Sequence, residues 1–359
     1  MQVFRLLGAA GALAAWCLAA GAETLTVVSW GGSYEQASRK AVLEPFTAET
    51  GIEVAVEVYN GGLAQIRAQV ETGNVYWDVV DLERADAVRA CDEGLLELVD
   101  VGELPPAADG TPAVDDFPPD AVTECGGGML YYSTVVAYNT EVLSGARPQV
   151  IADFFDLDRF PGRRGMRRSP LVNLEFALLA DGVPVAEVYG TLATVEGLAR
   201  AFRKLDTIKD SIVWWEAGAQ PPQMLADREV AMSTAYNGRI FNAQVLENQP
   251  LEILWDGQVL DSGMLGIVAG TARLDAALEL VRFASRPEVE AAISRYISYG
   301  PVRRSAAQFV STHRETGVDM RPHLPTSPEN VAGALHNDWE WWSDHADDMN
   351  ERFTAWLAR

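Results

Sequence analysis

Leu25-Thr26-Val27-Val28-Ser29-Trp30-Gly31-Gly32 opens the ordered part of the chain. Its β-branched run predicts a strand over 25–30, and two glycines end it. Residues 34–50 then place Ala37, Ala41, Val42 and Phe46 near one helical face, with Gly51 just past the end. Residues 52–59 alternate apolar positions with Glu53 and Glu57, which predicts a strand. A helix over 63–71, a short buried strand over 78–82 and a helix over 85–93, stopped by Gly94, complete a β-α-β-α-β-α order. That order specifies an α/β layer built on a mostly parallel sheet.

Further along, 103–119 is rich in Pro, Asp and Ala and is expected to be loop. Residues 128–139 (GMLYYSTVVAYN) form a long strand pattern, and 260–269 form a second, Gly-punctuated one. Between them the alternation resumes, with strands expected at 211–215, 230–236 and 251–255 and helices at 171–180, 195–209 and 223–227. Helices follow at 274–284, at 287–296 with Pro287 in the first turn, and at 336–357. The expected arrangement is two lobes. Lobe 1 takes 23–134 and 260–300, and lobe 2 takes 135–259. A C-terminal helical segment, 301–359, packs on both. A single core stops growing at about 250–300 residues, which also favours two lobes. A cleft between lobes is a preferred place for a small ligand.

The ends and the composition bound the function. Arg5, an uncharged Ala/Leu-rich run over 6–20, and Ala20-Gly21-Ala22 predict a secretory signal peptide over 1–22, hence a periplasmic protein. The run is shorter than the roughly 20 residues of a spanning helix. Trp16 before Cys17 fits lipoprotein processing badly. The formal net charge of −23 argues against nucleic acid as a partner. Once Cys17 leaves with the signal, Cys91 and Cys125 remain, one pair in an oxidising compartment, and a disulfide is expected. The four histidines make no zinc spacing. The chain carries no P-loop, nucleophile elbow or dinucleotide fingerprint. No cofactor, metal or catalytic residue is therefore assigned. An exported enzyme on the same fold is the competing class, separable by turnover of a candidate substrate.

Several motifs recur in a telling order. They are Trp30, Phe46-Thr47-Ala48-Glu49-Thr50-Gly51-Ile52-Glu53-Val54, Trp77-Asp78-Val79-Val80, Glu93-Gly94-Leu95-Leu96, Phe160-Pro161-Gly162-Arg163-Arg164-Gly165, Tyr236-Asn237-Gly238 and Arg286-Pro287-Glu288-Val289. In this order and spacing the chain resembles the spermidine/putrescine-binding proteins among periplasmic ABC-transporter receptors, over nearly the whole mature length. The resemblance implies a two-lobed type II periplasmic-binding fold that closes by a hinge, a small-molecule ligand, an inner-membrane ABC permease as partner and a monomer. By position it implies cleft aromatics at Trp30, Tyr34, Tyr236 and Tyr299, and a polar contact at Glu83.

The acidic positions depart from that pattern. After the Pro-Gly-x-x-Gly segment stand Arg167, Arg168 and Ser169, and Met264 aligns where the second crossing strand should carry an acid, with Asp261 close by. Arginine forks suit carboxylates. Arg167 and Arg168 alternate along a short strand, so one of them faces the cleft. Arg168, nearer the strand's end, is the one expected there, with Ser169. Arg159, Arg163 and Arg164 read as a solvated basic loop. Gly31 and Gly32 allow close backbone approach at a strand-to-helix junction. One of Trp214 and Trp215 should face the cleft, and Trp215 is taken. Asn237 reads as a helix cap or a contact, and Arg239 as a second cation. The ligand reading favours a small organic anion or zwitterion over a polyamine.

Overall fold

The computed structural model describes residues 24–359; the expected signal peptide and Cys17 lie outside the described residues. Among the described residues there are eleven strands: β1 Thr24–Ser29, β2 Glu53–Val58, β3 Val79–Glu83, β4 Val122–Thr123, β5 Gly126–Asn139, β6 Arg164–Arg167, β7 Ile212–Trp215, β8 Met232–Tyr236, β9 Leu251–Ile267, β10 Gly300–Pro301 and β11 Leu335–His336. Their main path runs β2-β1-β3-β9-β5-β8-β6-β7. One half pairs β1 parallel to β2 and β3. The other pairs β6 parallel to β7 and β8. The fold is the expected α/β arrangement of two lobes, with helices flanking the sheet.

The long antiparallel pair β5 and β9 carries both halves. The two strands expected over 251–255 and 260–269 are one, Leu251–Ile267. Gly257, with φ +74, is accommodated within it instead of ending it. Register shifts fall between Gly128 and Leu130 and between Thr134 and Val136, the second where β5 passes from one half to the other. An irregularity at such a point lets a strand bend and re-aim its side chains.

The helical run expected over 34–50 is continuous from Gly32 to Thr50, with a π-helical stretch at Arg39–Leu43, and Gly51 (φ +80) ends it. Apolar residues from both faces of the sheet build several cores. Cys91 and Cys125 are bonded, fastening the helix Arg84–Asp92 to the residue before β5. The C-terminal segment is more than helical. It adds β10 to β5 and β11 to β9 before the helix Trp339–Leu357. That helix buries Trp341, Trp342, Phe353 and Trp356 and ion-pairs with the other half through Asp347 and Arg89. Among the described residues no helix is long and apolar enough to cross a membrane.

Candidate ligand-binding site

The parallel strands of both halves point their C-terminal ends at one another, the usual ligand position in open α/β sheets. Trp30 follows β1, Glu83 ends β3, Arg167 ends β6, Trp215 ends β7 and Tyr236 ends β8. Between them lies a cavity of about 40 Å³ whose walls include Trp30, Tyr34, Tyr132, Tyr236 and Tyr299. The aromatics brace one another: Tyr34 and Tyr132 lie 5.5 and 6.1 Å from Tyr299, and Tyr132 meets Tyr236 edge-on at 5.6 Å.

Charge enters this apolar shell from several elements. Asp81 and Glu83 lie two apart on β3 and share a face. Asp81 accepts the Tyr34 hydroxyl proton, and its own carbonyl accepts Tyr59 Oη at 2.5 Å. Across the sheet, Glu83 opposes Gly263, and Asp261 opposes Tyr132. Gly263 also lines the cavity; a Cβ there would stand 3.4 Å from Asp81 Oδ1. The Asp261 carboxylate accepts from Asn337 Nδ2 at 2.7 Å, Ser262 N at 2.7 Å and Tyr132 Oη at 3.3 Å. Burial pushes both Asp81 and Asp261 up to about 7, with Glu83 adding to the rise and these hydrogen bonds opposing it.

Two arginines from the second half enter the site, and Arg167 meets one of these acids. Arg167 Nη1 donates to Glu83 Oε1 at 2.7 Å, with the two side chains 16% and 11% exposed. Burial works against the Arg167 charge, but Glu83 more than compensates and holds it protonated. Arg239 donates from Nη1 to Gly31 O and from Nη2 to Trp30 O, both at 3.0 Å. These bonds join the two halves, so the cleft is shut. Gly31 and Gly32 have φ of +64 and +63, and a Cβ on Gly32 would stand 2.6 Å from Arg239 Nη1. The glycines admit a guanidinium to the backbone.

Several expectations are corrected. The arginine that turns inward is Arg167. Arg168 is 58% exposed and pairs with Glu216 at 3.5 Å on the rim, because pairing Arg167 with Trp215 fixes the pleat. Ser169 also lies on the rim, its Oγ accepting from Leu171 N. Met264 is core: Asp261 and Gly263 occupy the cavity face, so the next residue points away. Asn237 neither caps nor lines the cavity. It is fully buried, accepting from Ser133 N and donating to Ser298 O, which ties the crossing strand down. Arg164 is no solvated loop residue either; it is buried and donates to Phe154 O, Gly162 O and Phe160 O.

The cavity thus assembles Trp30, Tyr34, Glu83, Tyr236, Arg239 and Tyr299 from the expected set. Trp215 lies behind Tyr236, 5.8 Å away, lining a smaller adjoining chamber. Tyr132 was not singled out, although it sits mid-strand in the crossing segment. Asp261 was legible only as a neighbour of Met264.

The comparisons agree with this architecture. Residues 41–326 match the family model described as bacterial extracellular solute-binding protein. The gamma-aminobutyric acid-binding protein of Pseudomonas aeruginosa is 43% identical over 358 residues, covering 100% of this chain and 97% of that protein. The spermidine/putrescine-binding periplasmic protein of Salmonella typhimurium is 22% identical over 327 residues, 90% of each. The crystal structure of the PBP MotA from A. tumefaciens B6, in complex with glucopine, superposes with a TM-score of 0.84 at 29% identity, covering 93% of this chain and 99% of that one. The chain belongs to the bacterial extracellular solute-binding protein family, with the type II periplasmic-binding fold, and is the solute-binding component of an ABC transporter.

Proposed function

We propose that the solute is a short linear amino acid zwitterion of the γ-aminobutyrate type, bound without turnover and delivered to an inner-membrane permease. The observation that carries this reading is the alternation of charge across two adjoining cavities: Asp81, Glu83 and Arg239 line one, and Glu83, Asp261 and Arg167 line the other. With two of the three acids poised near 7, the site is close to neutral as a whole. A zwitterion can exchange into the Arg167–Glu83 pair without leaving a charge unmatched, whereas a lone anion or a diamine cannot. The aromatic walls suit the methylenes and the ammonium group. The γ-aminobutyric acid-binding relative supports the same class.

In this reading residues 1–22 direct export. The lobes, 23–134 with 260–300 and 135–259, close about β5 and β9, and the protein works as a monomer that needs no nucleic acid. A polyamine is the second reading, favoured by the three carboxylates and by the spermidine/putrescine-binding relative. Calorimetric titration with β-alanine, γ-aminobutyrate, 5-aminovalerate, n-butyrate and putrescine separates the two. An ω-amino acid should bind at least tenfold more tightly than putrescine or n-butyrate. Putrescine as the best ligand would overturn the zwitterion reading.

A further inference from the structure

Behind the Arg167–Glu83 pair lies a second chamber of about 10 Å³, walled in part by Arg167, Val172, Asn173, Trp215 and Thr234. Trp215 and Thr234 are each 1% exposed, and Trp215 Nε1 and Thr234 Oγ1 are buried with no hydrogen-bond partner. Protein interiors seldom leave such groups unpaired, and each that remains invites an explanation. Indole N–H and guanidinium groups donate and cannot accept. Two residues beside the chamber are acidic, and their hydrogen-bond partners lie elsewhere than Trp215 and Thr234. Glu83 Oε1 holds Arg167, and the Asp261 oxygens take Ser262 N, Asn337 Nδ2 and Tyr132 Oη. The chamber therefore presents an unpaired indole N–H and an unpaired hydroxyl beside the Arg167 guanidinium, a set that suits an acceptor oxygen.

The wall is held against the grain of the backbone. Val172, a β-branched residue, stands at φ +69, and Asn173 Nδ2 fixes the same turn by donating to Arg167 O and Ser169 O at 2.7 Å each. Strain of this kind persists where surroundings over-determine it, often at ligand clamps. The turn keeps Arg167 beside Trp215 and Thr234.

We propose that this chamber is the carboxylate seat of the bound solute: one carboxylate oxygen accepts from Trp215 Nε1 and Thr234 Oγ1, and the other pairs with Arg167. Glu83, released from Arg167, then takes the solute's ammonium group across Tyr132. The solute lies with its acid end toward β6, β7 and β8 and its amine end toward β3. The proposal rests on the zwitterion reading for the amine end only. Any carboxylate of suitable size satisfies the chamber.

The test uses the whole mature protein, Thr234→Val and Trp215→Phe, titrated calorimetrically with γ-aminobutyrate and n-butyrate, with the Trp215 indole N–H followed by NMR in the wild type. Hydrogen bonds to a charged group predict a loss of about tenfold to a hundredfold in each variant. The indole resonance should move on binding. Thr234→Val is nearly isosteric and suits a strand, so it carries the test if Trp215→Phe folds poorly. If both variants bind γ-aminobutyrate as the wild type does, the chamber holds solvent only, and the inference fails while the proposed function stands. If the wild type binds n-butyrate, losing it in the variants, and binds no ω-amino acid, the function fails and the seat stands. Failure of both probes to bind the wild type removes both.

Discussion

Exchanging Arg167 for Met keeps most of the side chain's length and removes its charge. In the folded protein that charge is 2.7 Å from Glu83, with little solvent at either group. At an effective dielectric near 20, opposite charges about 4 Å apart attract by roughly 4 kcal/mol. Truncating one partner of such a buried pair costs about 2–5 kcal/mol in binding. At about 1.4 kcal/mol per decade this weakens a zwitterion by roughly 30-fold to several thousandfold. Glu83 would remain with Asp81 and Asp261, so putrescine should bind the variant better than it binds the wild type. Arg168→Met is the matched control. Its pair with Glu216 is 58% and 63% exposed at 3.5 Å, worth about 0–1 kcal/mol and less in salt. Calorimetry of the wild type and both variants with γ-aminobutyrate and putrescine reads all three effects. A larger loss for Arg168→Met than for Arg167→Met would refute the assignment of the inward arginine.

Binding should also move protons. The Asp81 and Asp261 carboxyls stand at about 7, above the ordinary value near 4 of an unfolded chain. Between about pH 4 and 7 the folded state therefore holds more protons than the unfolded one, and these groups make ligand-free stability fall as pH rises through that window. The ammonium group, directed toward β3, pulls Asp81 back down, so binding near pH 7 should release protons and affinity should fall below pH 7. Calorimetry in buffers of different ionisation enthalpy measures the release; proton uptake would contradict it. Gly32→Ala places a Cβ 2.6 Å from Arg239 Nη1 at a φ of +63, and should cost about 1 kcal/mol or more while loosening the clasp on Trp30 O and Gly31 O. Thermal unfolding and small-angle scattering check both parts, and an unchanged variant would count against the clasp. Reducing Cys91–Cys125, which closes a loop of separation 34, should cost about 3–4 kcal/mol by the chain-entropy model, readable as a drop in denaturation midpoint. Two free thiols in denatured, unreduced protein would refute the bond.

Periodicity and punctuation were enough for the layer architecture. Strand and helix order from β1 to Gly94, the long crossing segment ending at Asn139 and the Trp-rich final helix are local patterns, and each residue's preference agrees with its neighbours'. The glycines after Trp30 and the aromatics at strand ends were legible for the same reason. The facing of individual side chains was not. Arg167 or Arg168, Asp261 or Met264, and Trp214 or Trp215 differ by odd steps along a strand, and a strand shows alternate residues to opposite sides. Which side faces the cavity is settled by pairing: β6 with β7 turns Arg167 and Trp215 inward, and β9 with β5 and β3 turns Asp261 and Gly263 inward. Composition and local pattern determined that this chain folds into two α/β lobes with an acidic surface and a cysteine pair. Only the tertiary structure decided that Arg167 meets Glu83 and that Trp215 and Thr234 keep unpaired donors beside them, because these groups come from strands far apart in sequence and their register is set by the sheet they build together.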